Sequence, residues 1–514
     1  MVKDQKRAGI VLQYLTIFLS ILISLVYSPF MLRMLGQNQY GIYSLATSTI
    51  ACLSLLSLGL NGSYLRFYSI SFKKDKENSV PNLNGLYLFI FSIIGLIALI
   101  IGIVLANNVS IFLNETYSDY DRNTAKILFI FLSINIAVSF PGSVFTSYIT
   151  SQEKFIFLKT INLISLVLSP CANIILLYIG YGSVGMVATT TAITVLTIGV
   201  NVFFCFKKIK MKISFKNMDF SLFKDILFFS LFISMNQIIE LVNWQTDKII
   251  LGKMISGTAV AVYAVGSQIN SLFTQFSTAI SSVFAPKINM LVEEKPENLN
   301  SELTNIFIKV GRVQWFVLTL ILSGFIFFGK FFIFKWAGVG YDNSYYVAII
   351  LMGPAIVPLI QNIGIEIQRA KNKHHIRSIV YLCVAVLNVV ISIFLAKLWG
   401  EIGCAVGTAI SMILGPILFM NIYYQRKLEI NVCNFWAEIL KTLPSLLVPF
   451  TAGIIVMIFY QFKSIADFII ICFAYSIIYC VCIYLIGINR NEKQIVNGLI
   501  LRLFHRKAKR NEID

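Results

Sequence analysis

Four polar side chains recur at helical spacing in an otherwise apolar stretch: Asn236, Glu240, Asn243 and Asp247. Intervals of four, three and four residues place them within about 60° of one another on one helical face. A carboxylate can take up and release a proton or a small cation. Amides and carboxylates together can replace water around a hydroxyl-rich solute. Lys248 follows Asp247 directly and forms a local charge pair on paper. An uncompensated carboxylate near the middle of a bilayer costs at least about 2.5–3.5 kcal/mol on insertion scales. The stripe is therefore expected to face a wet cleft or a partner helix, not lipid. Glu240 falls near the middle of its apolar segment and Asp247 near the outer end. Two readings stand side by side: hydrogen bonds that hold helices together, and the lining of a translocation cleft.

No other chemistry competes with this stripe. The sequence has no Gly-x-x-x-x-Gly-Lys-Ser/Thr phosphate loop, so ATP is not expected to act on it directly. Its 9 cysteines are scattered without a Cys-x-x-Cys, and Cys480 and Cys482 read as packing residues. The 3 histidines are His374, His375 and His505, in expected cytoplasmic loops. An adjacent pair cannot close a tetrahedral metal site by itself. No catalytic residue, metal or cofactor is expected, and the chain reads as a non-enzyme. Coupling to H+ or Na+ is left open, with Glu240 and Asp247 as its candidate carriers.

The elements that must position these groups are membrane spans. The chain has 514 residues, 57% hydrophobic and 13% charged, where soluble proteins carry about a quarter charged. Apolar runs of about 20 residues recur from end to end, which gives an all-α polytopic membrane protein. About fourteen spans are expected, near 10–32, 40–70, 83–106, 124–150, 157–179, 183–206, 222–251, 258–285, 304–334, 343–370, 376–398, 402–425, 438–460 and 465–487. Barrel strands would be short and alternating, and these runs are neither. The stretch after Lys3, Lys6 and Arg7 is too long for a signal peptide and reads as a retained first span.

The net charge of +18 is explained by position. With the N-terminus in the cytoplasm, roughly 32 of the 42 Lys and Arg fall on the cytoplasmic side, which orients both termini inward. The clusters Lys207–Lys212, Arg369–Lys373 and Arg506–Arg510 then meet anionic headgroups, and no nucleic-acid partner is expected. Lys309, Arg312, Glu366 and Arg369 also lie near that face and read as interface anchors. The sequons at Asn108 and Asn114 fall in an expected outer loop.

The first half recurs about 216 residues downstream. Gly36 pairs with Gly252, Pro141 with Pro358, and Gly182-Ser-Val-Gly185 with Gly400-Glu-Ile-Gly403. Six spans per copy is an even number, so the copies run parallel. The expected division is 1–220 for the first six-helix bundle, 221–430 for the second, 431–488 for two appended helices, and 489–514 for a basic cytoplasmic tail. Shifting the polar stripe back one repeat reaches Ser20, Ser24, Tyr27 and Met31, and the same face extends to Gln13 and Thr16. Spans one and seven are thus expected to line one cleft. Arg33 and Arg66 are the basic candidates beside it. Pro141, Pro354 and Pro358 are expected to break spans four and ten.

The chain resembles polysaccharide flippases of the O-antigen and capsule (Wzx) type, within the superfamily that also holds multidrug and toxin extrusion transporters and lipid II flippases. The resemblance covers essentially the whole chain. It rests on Pro29–Gly36 followed by Tyr40-Gly41-Ile-Tyr43, on Gly59–Arg66, on Asp247–Gly252, and on the Gly-x-x-Gly starts at Gly182 and Gly400. It implies a V-shaped pair of bundles around a central cleft that opens to each side in turn. It also implies an undecaprenyl-pyrophosphate-linked oligosaccharide as cargo in a bacterial plasma membrane, with membrane lipids, a polysaccharide polymerase and a chain-length regulator as partners. Lipid II flippases have a strongly cationic cavity, whereas the most central charge here is Glu240.

Three alternatives are weighed against it, one of them a non-transporting membrane scaffold, which would leave the polar stripe unexplained. A cation-coupled multidrug antiporter of the same superfamily would suit an acidic cavity. A membrane glycan polymerase or ligase would need a large outer loop, and the longest here lies near Asn107–Asn123.

Overall fold

The computed structural model describes residues 2–498, apart from 58, 76–78, 217–219, 374, 491, 495 and 496. His374, His505 and the Arg506–Arg510 cluster lie outside the described residues. Every regular element among the described residues is helical, and no strand occurs. This follows from the solvent: in hydrocarbon each backbone polar group must be satisfied within its own segment.

Helix α1 (Val2–Ala51) carries span one and enters span two, which a 3-10 turn and α2 (Leu60–Lys74) complete. Spans three to six are α3 (Ser79–Asn107), α4 (Asp119–Ser151), α5 (Phe155–Ile179) and α6 (Gly182–Lys207). Spans seven and eight are α7 (Phe220–Met254) and α8 (Gly257–Ser282), followed by the short α9 (Ala285–Glu294). Span nine is α10 (Leu299–Trp336), and span ten is α11 (Asp342–Ile360) with α12 (Ile363–Ala370). Helix α13 (His375–Met412) holds span eleven and starts span twelve, which continues through a π-helical stretch into α14 (Met420–Lys427). The last two spans are α15 (Val432–Leu440) with α16 (Leu447–Phe459), and α17 (Ile465–Cys482).

Ten stretches among the described residues are long and apolar enough to cross a membrane. Two of them, Leu15–Lys73 and His375–Lys427, run 59 and 53 residues. At 1.5 Å per residue each far exceeds a bilayer core of about 30 Å, so each holds two passes. Glycines make the breaks: Gly36 at φ 72°, ψ 167° and Gly400 at φ 57°, ψ −131°. Helices α7 and α8, of 35 and 26 residues, also have spanning length. The fourteen expected spans all fall on helical stretches.

One of the expected repeat pairs shares a backbone conformation. Gly182 and Gly400 open their Gly-x-x-Gly runs at φ +55° and +57°, a region that disfavours residues with a Cβ. The second glycine of each run is tightly packed. A Cβ at Gly185 would lie 2.6 Å from the Tyr181 Cβ, and one at Gly403 would lie 2.0 Å from the Leu395 carbonyl oxygen. Membrane helices associate through such close contacts, because lipid gives no hydrophobic drive between them.

The proline expectation needs correction. Helix α4 runs unbroken through Pro141. A proline at this position removes the hydrogen bond to the Ala137 carbonyl. That carbonyl faces α3 at Gly95, where a Cβ would lie only 2.5 Å away, so close packing occupies the freed oxygen. Helix α11 also contains Pro354 and ends at Ile360, two residues after Pro358.

The chain forms two compact units. The first comprises Met1–Ile269, Trp336–Leu351 and His375–Gly415. One of its cores gathers Ile42, Leu45, Tyr263, Val347 and Ala405, and another gathers Tyr64, Tyr87, Phe91 and Phe140. Helix α1 packs on α5 and α7, and α7 packs along α13. At the expected outer ends the two copies interlock within this unit. A Cβ at Gly41 would lie 1.8 Å from the Gly257 carbonyl oxygen. Gln37 Nε2 donates to the Gly340 carbonyl at 2.7 Å, and Trp336 Nε1 donates to the Leu25 carbonyl at 2.8 Å.

The second unit comprises Asn270–Lys335, Met352–His374 and Pro416–Asp514. Here Arg312 corrects the expectation of an interface anchor, for it is only 3% exposed. Its Nε and Nη2 donate to the two Glu492 oxygens at 2.8 Å each. Its Nη1 reaches the Glu438 carbonyl at 2.8 Å and its Nη2 the Gly487 carbonyl at 2.9 Å. The guanidinium thus ties span nine to both appended spans. Tyr475 donates to Ser323 at 2.7 Å, and Tyr479 shares a 2.5 Å hydrogen bond with Thr319. The expected anchor pair Glu366–Arg369 does lie at the surface, with a 3.0 Å ion pair.

Candidate functional site

The predicted stripe on α7 passes from exposed to buried along the helix. Glu240 is exposed, Asn243 is half-buried and Asp247 is 2% exposed. Asn236 lies in α7, and its side chain is outside the described residues. Lys248 is half-buried, and its charge acts on Asp247.

Asp247 sits where three helices of the second copy meet. The hydroxyls of Tyr263 (α8) and Thr408 (second segment of α13) both donate to Asp247 Oδ2, the latter at 2.7 Å. Asn388 Oδ1 lies 3.1 Å from Ser392 Oγ and 3.3 Å from Thr408 Oγ1. Ser392 also lies within hydrogen-bonding reach of the Asp247 carboxylate. Five oxygen-bearing side chains therefore converge away from lipid. Hydroxyl donors stabilise a buried carboxylate, and the same oxygens can turn their lone pairs toward a hard cation. The arrangement suits a small cation or a proton on Asp247.

The local sequence explains the convergence. Asn388 and Ser392 are four residues apart on the first segment of α13, so both face α7. The Gly400 break turns the chain back and brings Thr408 beside them. Gly407 allows this approach, since a Cβ there would lie 2.7 Å from Ser392 Oγ. Sequence reasoning missed Tyr263, Asn388, Ser392 and Thr408. The available signal was the intramembrane pair Asn388–Ser392 at helical spacing, in the span adjoining the stripe.

Glu240 has a different setting. Its Oε2 accepts from Trp244 Nε1 at 2.9 Å, one turn along the same helix. Across on α13, Tyr381 lies within electrostatic reach of Glu240, and Arg377 stacks over the Tyr381 ring at 4.8 Å.

The span-one residues divide similarly. Ser24 accepts from Gln268 Nε2 at 3.0 Å, and Ser28 accepts from the same nitrogen at 2.7 Å. The polar face of span one is thus answered by α8, a partner that the repeat arithmetic did not name. Tyr27 is half-buried, and its hydroxyl lies near the Asn173 side chain of α5. Ser20 is half-buried, Met31 is buried and Gln13 is exposed. Thr16 donates to the Leu12 carbonyl of its own helix at 2.7 Å. Arg33 and Arg66 are exposed and have partners of their own. In the expected outer loop, the sequon residue Asn114 donates to the Ile255 carbonyl at 2.8 Å.

Three comparisons bear on this arrangement. The family model described as polysaccharide biosynthesis protein matches residues 30–334. The "Putative O-antigen transporter" of Shigella flexneri is 23% identical over 403 residues, covering 77% of this chain and 92% of that protein. The fold is similar to the lipid II flippase MurJ in an inward closed conformation, with TM-score 0.69 and 15% identity, over 92% of this chain and 97% of that one. It is also similar to an inward-facing multidrug resistance MATE transporter, with TM-score 0.60 and 16% identity, over 81% of this chain and 96% of that one. These relatives are named as transporters and flippases, not enzymes.

Proposed function

Because the chain belongs to the polysaccharide biosynthesis protein family, we propose that it is a lipid-linked oligosaccharide flippase. It carries undecaprenyl-pyrophosphate-linked oligosaccharide from the inner to the outer face of a bacterial plasma membrane by alternating access. Both termini lie in the cytoplasm, and the exported glycan feeds O-antigen, capsule or exopolysaccharide synthesis. The observation that carries this reading is the family match over residues 30–334 on a multi-pass flippase-like fold.

The physics of the task fits such a chain. Each sugar hydroxyl costs several kcal/mol to strip of water without a replacement, about 4–8 in the least forgiving solvent, so unassisted flipping is very slow. Polar groups along spans one and seven supply substitutes while the prenyl tail stays in lipid. An anionic headgroup moving outward across an inside-negative membrane gains about 2.3 kcal/mol per charge per 100 mV.

The Asp247 cluster is the proposed coupling site for H+ or Na+. Its burial and its oxygen donors suit a desolvated cation, whereas exposed Glu240 suits contact with cargo. The lipid-linked oligosaccharide and membrane lipids are the immediate partners. A polymerase and a chain-length regulator would act on the product.

Deleting the gene in its own host tests the reading. Lipid-linked oligosaccharide should accumulate on the cytoplasmic face and surface glycan should be lost. Normal surface glycan would refute it.

A further inference from the structure

Two short ladders face each other across the packed pair α7 and α13. On α7, Glu240 and Trp244 are one turn apart and joined by the indole N–H. On α13, Arg377 and Tyr381 are one turn apart, with the guanidinium stacked over the phenol ring. Four residues of helix rise about 6 Å. That is close to the width of one sugar ring.

The polar capacity of this group is only partly spent, with the Arg377 guanidinium within hydrogen-bonding reach of the Tyr381 hydroxyl. Among the described residues Glu240 bonds only Trp244, so Oε1 keeps both lone pairs. The Arg377 Nε is buried and has no acceptor. No described ion pair joins Glu240 to Arg377, although both lie beside Tyr381. Side chains that served only to hold α7 to α13 would pair these opposite charges directly. Glu240 is instead exposed within a membrane-spanning helix. A carboxylate there must meet a polar partner, not lipid.

The types present match one ligand chemistry. Trp244 and Tyr381 offer flat apolar faces with polar tips, suited to the C–H face of a pyranose. Glu240 accepts from hydroxyls, and Arg377 donates to ring, hydroxyl or acetamido oxygens. The site holds one charge of each sign, so neither an acidic nor a basic sugar is favoured. Few polar groups set against aromatic walls is the usual make-up of a small-molecule site.

We propose that Glu240, Trp244, Arg377 and Tyr381 form a subsite for one uncharged pyranose ring of the lipid-linked cargo. This rests on the flippase reading for its ligand, and it adds which part of the ligand is recognised and by which residues. The subsite reads sugar, while the prenyl chain and pyrophosphate are held elsewhere.

The test is equilibrium binding to the purified full-length protein in detergent. Two probes are used: undecaprenyl-pyrophosphate-N-acetylglucosamine and sugar-free undecaprenyl pyrophosphate. The wild type is expected to bind the sugar-bearing probe about ten-fold more tightly. Glu240→Gln and Tyr381→Ala should bring that ratio near one while leaving affinity for the sugar-free probe in place. Tyr381→Phe, which keeps the ring, should retain most of the preference. Glu240 is exposed, so Glu240→Gln is expected to fold and decides the matter if Tyr381→Ala does not. No preference in the wild type, an unchanged ratio in Glu240→Gln, or an equal loss for both probes would overturn the subsite. Failure of the parent reading looks different: a wild type that prefers the sugar-bearing probe but moves neither across a vesicle membrane is no flippase, and the subsite stands.

Discussion

Thr408 donates a 2.7 Å hydrogen bond to Asp247 Oδ2, tying span twelve to span seven at a carboxylate that is 2% exposed. The contact crosses 161 residues of sequence. Tyr263 donates to the same oxygen from span eight. A cation or proton arriving at Asp247 would compete with both hydroxyls, so its binding is coupled to the packing of three helices.

If this is the coupling site, Thr408→Val should lower the half-saturating concentration of the coupling cation, because it removes a hydroxyl that competes for the carboxylate. A hydrogen bond to a charged group is worth about 1.5–3 kcal/mol, or roughly ten- to a hundred-fold in affinity. Asp247→Asn should abolish the ion dependence altogether. The measurement is initial transport rate in proteoliposomes against the H+ or Na+ gradient. Unchanged ion dependence in Asp247→Asn would remove the site from the mechanism.

Gly41→Ala should destabilise the protein. The added Cβ would lie 1.8 Å from the Gly257 carbonyl oxygen, and backbone cannot step aside as a side chain can. Overpacking of this kind costs typically about 1–3 kcal/mol. The melting temperature of the detergent-purified variant should fall by several degrees. A melting curve that coincides with the wild type would show that the two backbones are not in contact.

The repeat makes a paired prediction. Gly182→Ala and Gly400→Ala place a Cβ on residues at φ +55° and +57°. Each should cost about 1–2 kcal/mol from backbone strain alone, since open space surrounds both positions. The two melting shifts should agree. A large shift in one and none in the other would argue that the turns are not equivalent.

Much of the architecture was legible in the sequence, because spans announce themselves through apolar runs that need no partner to be recognised. Gly36 and Gly400 stood out as paired glycines, but the break at Gly36 was not legible from its pair, since Gly252 has no positive φ. The setting of Asp247 was not. Its donors come from Tyr263, 16 residues on, and Thr408, 161 residues on, and only packing brings them together. The stripe on α7 carried no hint that Asp247 is buried while Glu240 is exposed. Arg312 failed as an interface anchor because its main partner, Glu492, lies 180 residues away, beyond the last span. Pro141 failed as a helix break because Gly95 lets the neighbouring helix cover the freed carbonyl.

Arg312→Leu should release the appended spans. It leaves Glu492 without its cation, while Glu438 keeps Lys441, and breaking a buried pair from one side costs about 3–5 kcal/mol. Glu492→Gln should do less and should do so in a pH-dependent way. Burial pushes the Glu492 carboxyl up, but the Arg312 hydrogen bonds outweigh this and hold it below its ordinary value of 4.5. A depressed carboxylate stabilises the fold above that ordinary value, and the benefit fades as pH falls through the folded-state value beneath it. The melting difference between wild type and Glu492→Gln should therefore be constant near neutrality and shrink below about pH 4.5. A difference that grows on acidification would contradict the ion pair.

The central claim is that this chain moves a sugar-bearing prenyl lipid across a membrane. The most direct measurement reconstitutes the purified protein in vesicles with undecaprenyl-pyrophosphate-N-acetylglucosamine in the inner leaflet. A membrane-impermeant galactosyltransferase outside then labels whatever sugar appears on the outer face. Labelling is expected to proceed past the initially exposed pool, faster with an inside-negative potential, and to slow in Asp247→Asn. Labelling that stops at the level of protein-free vesicles would contradict the account.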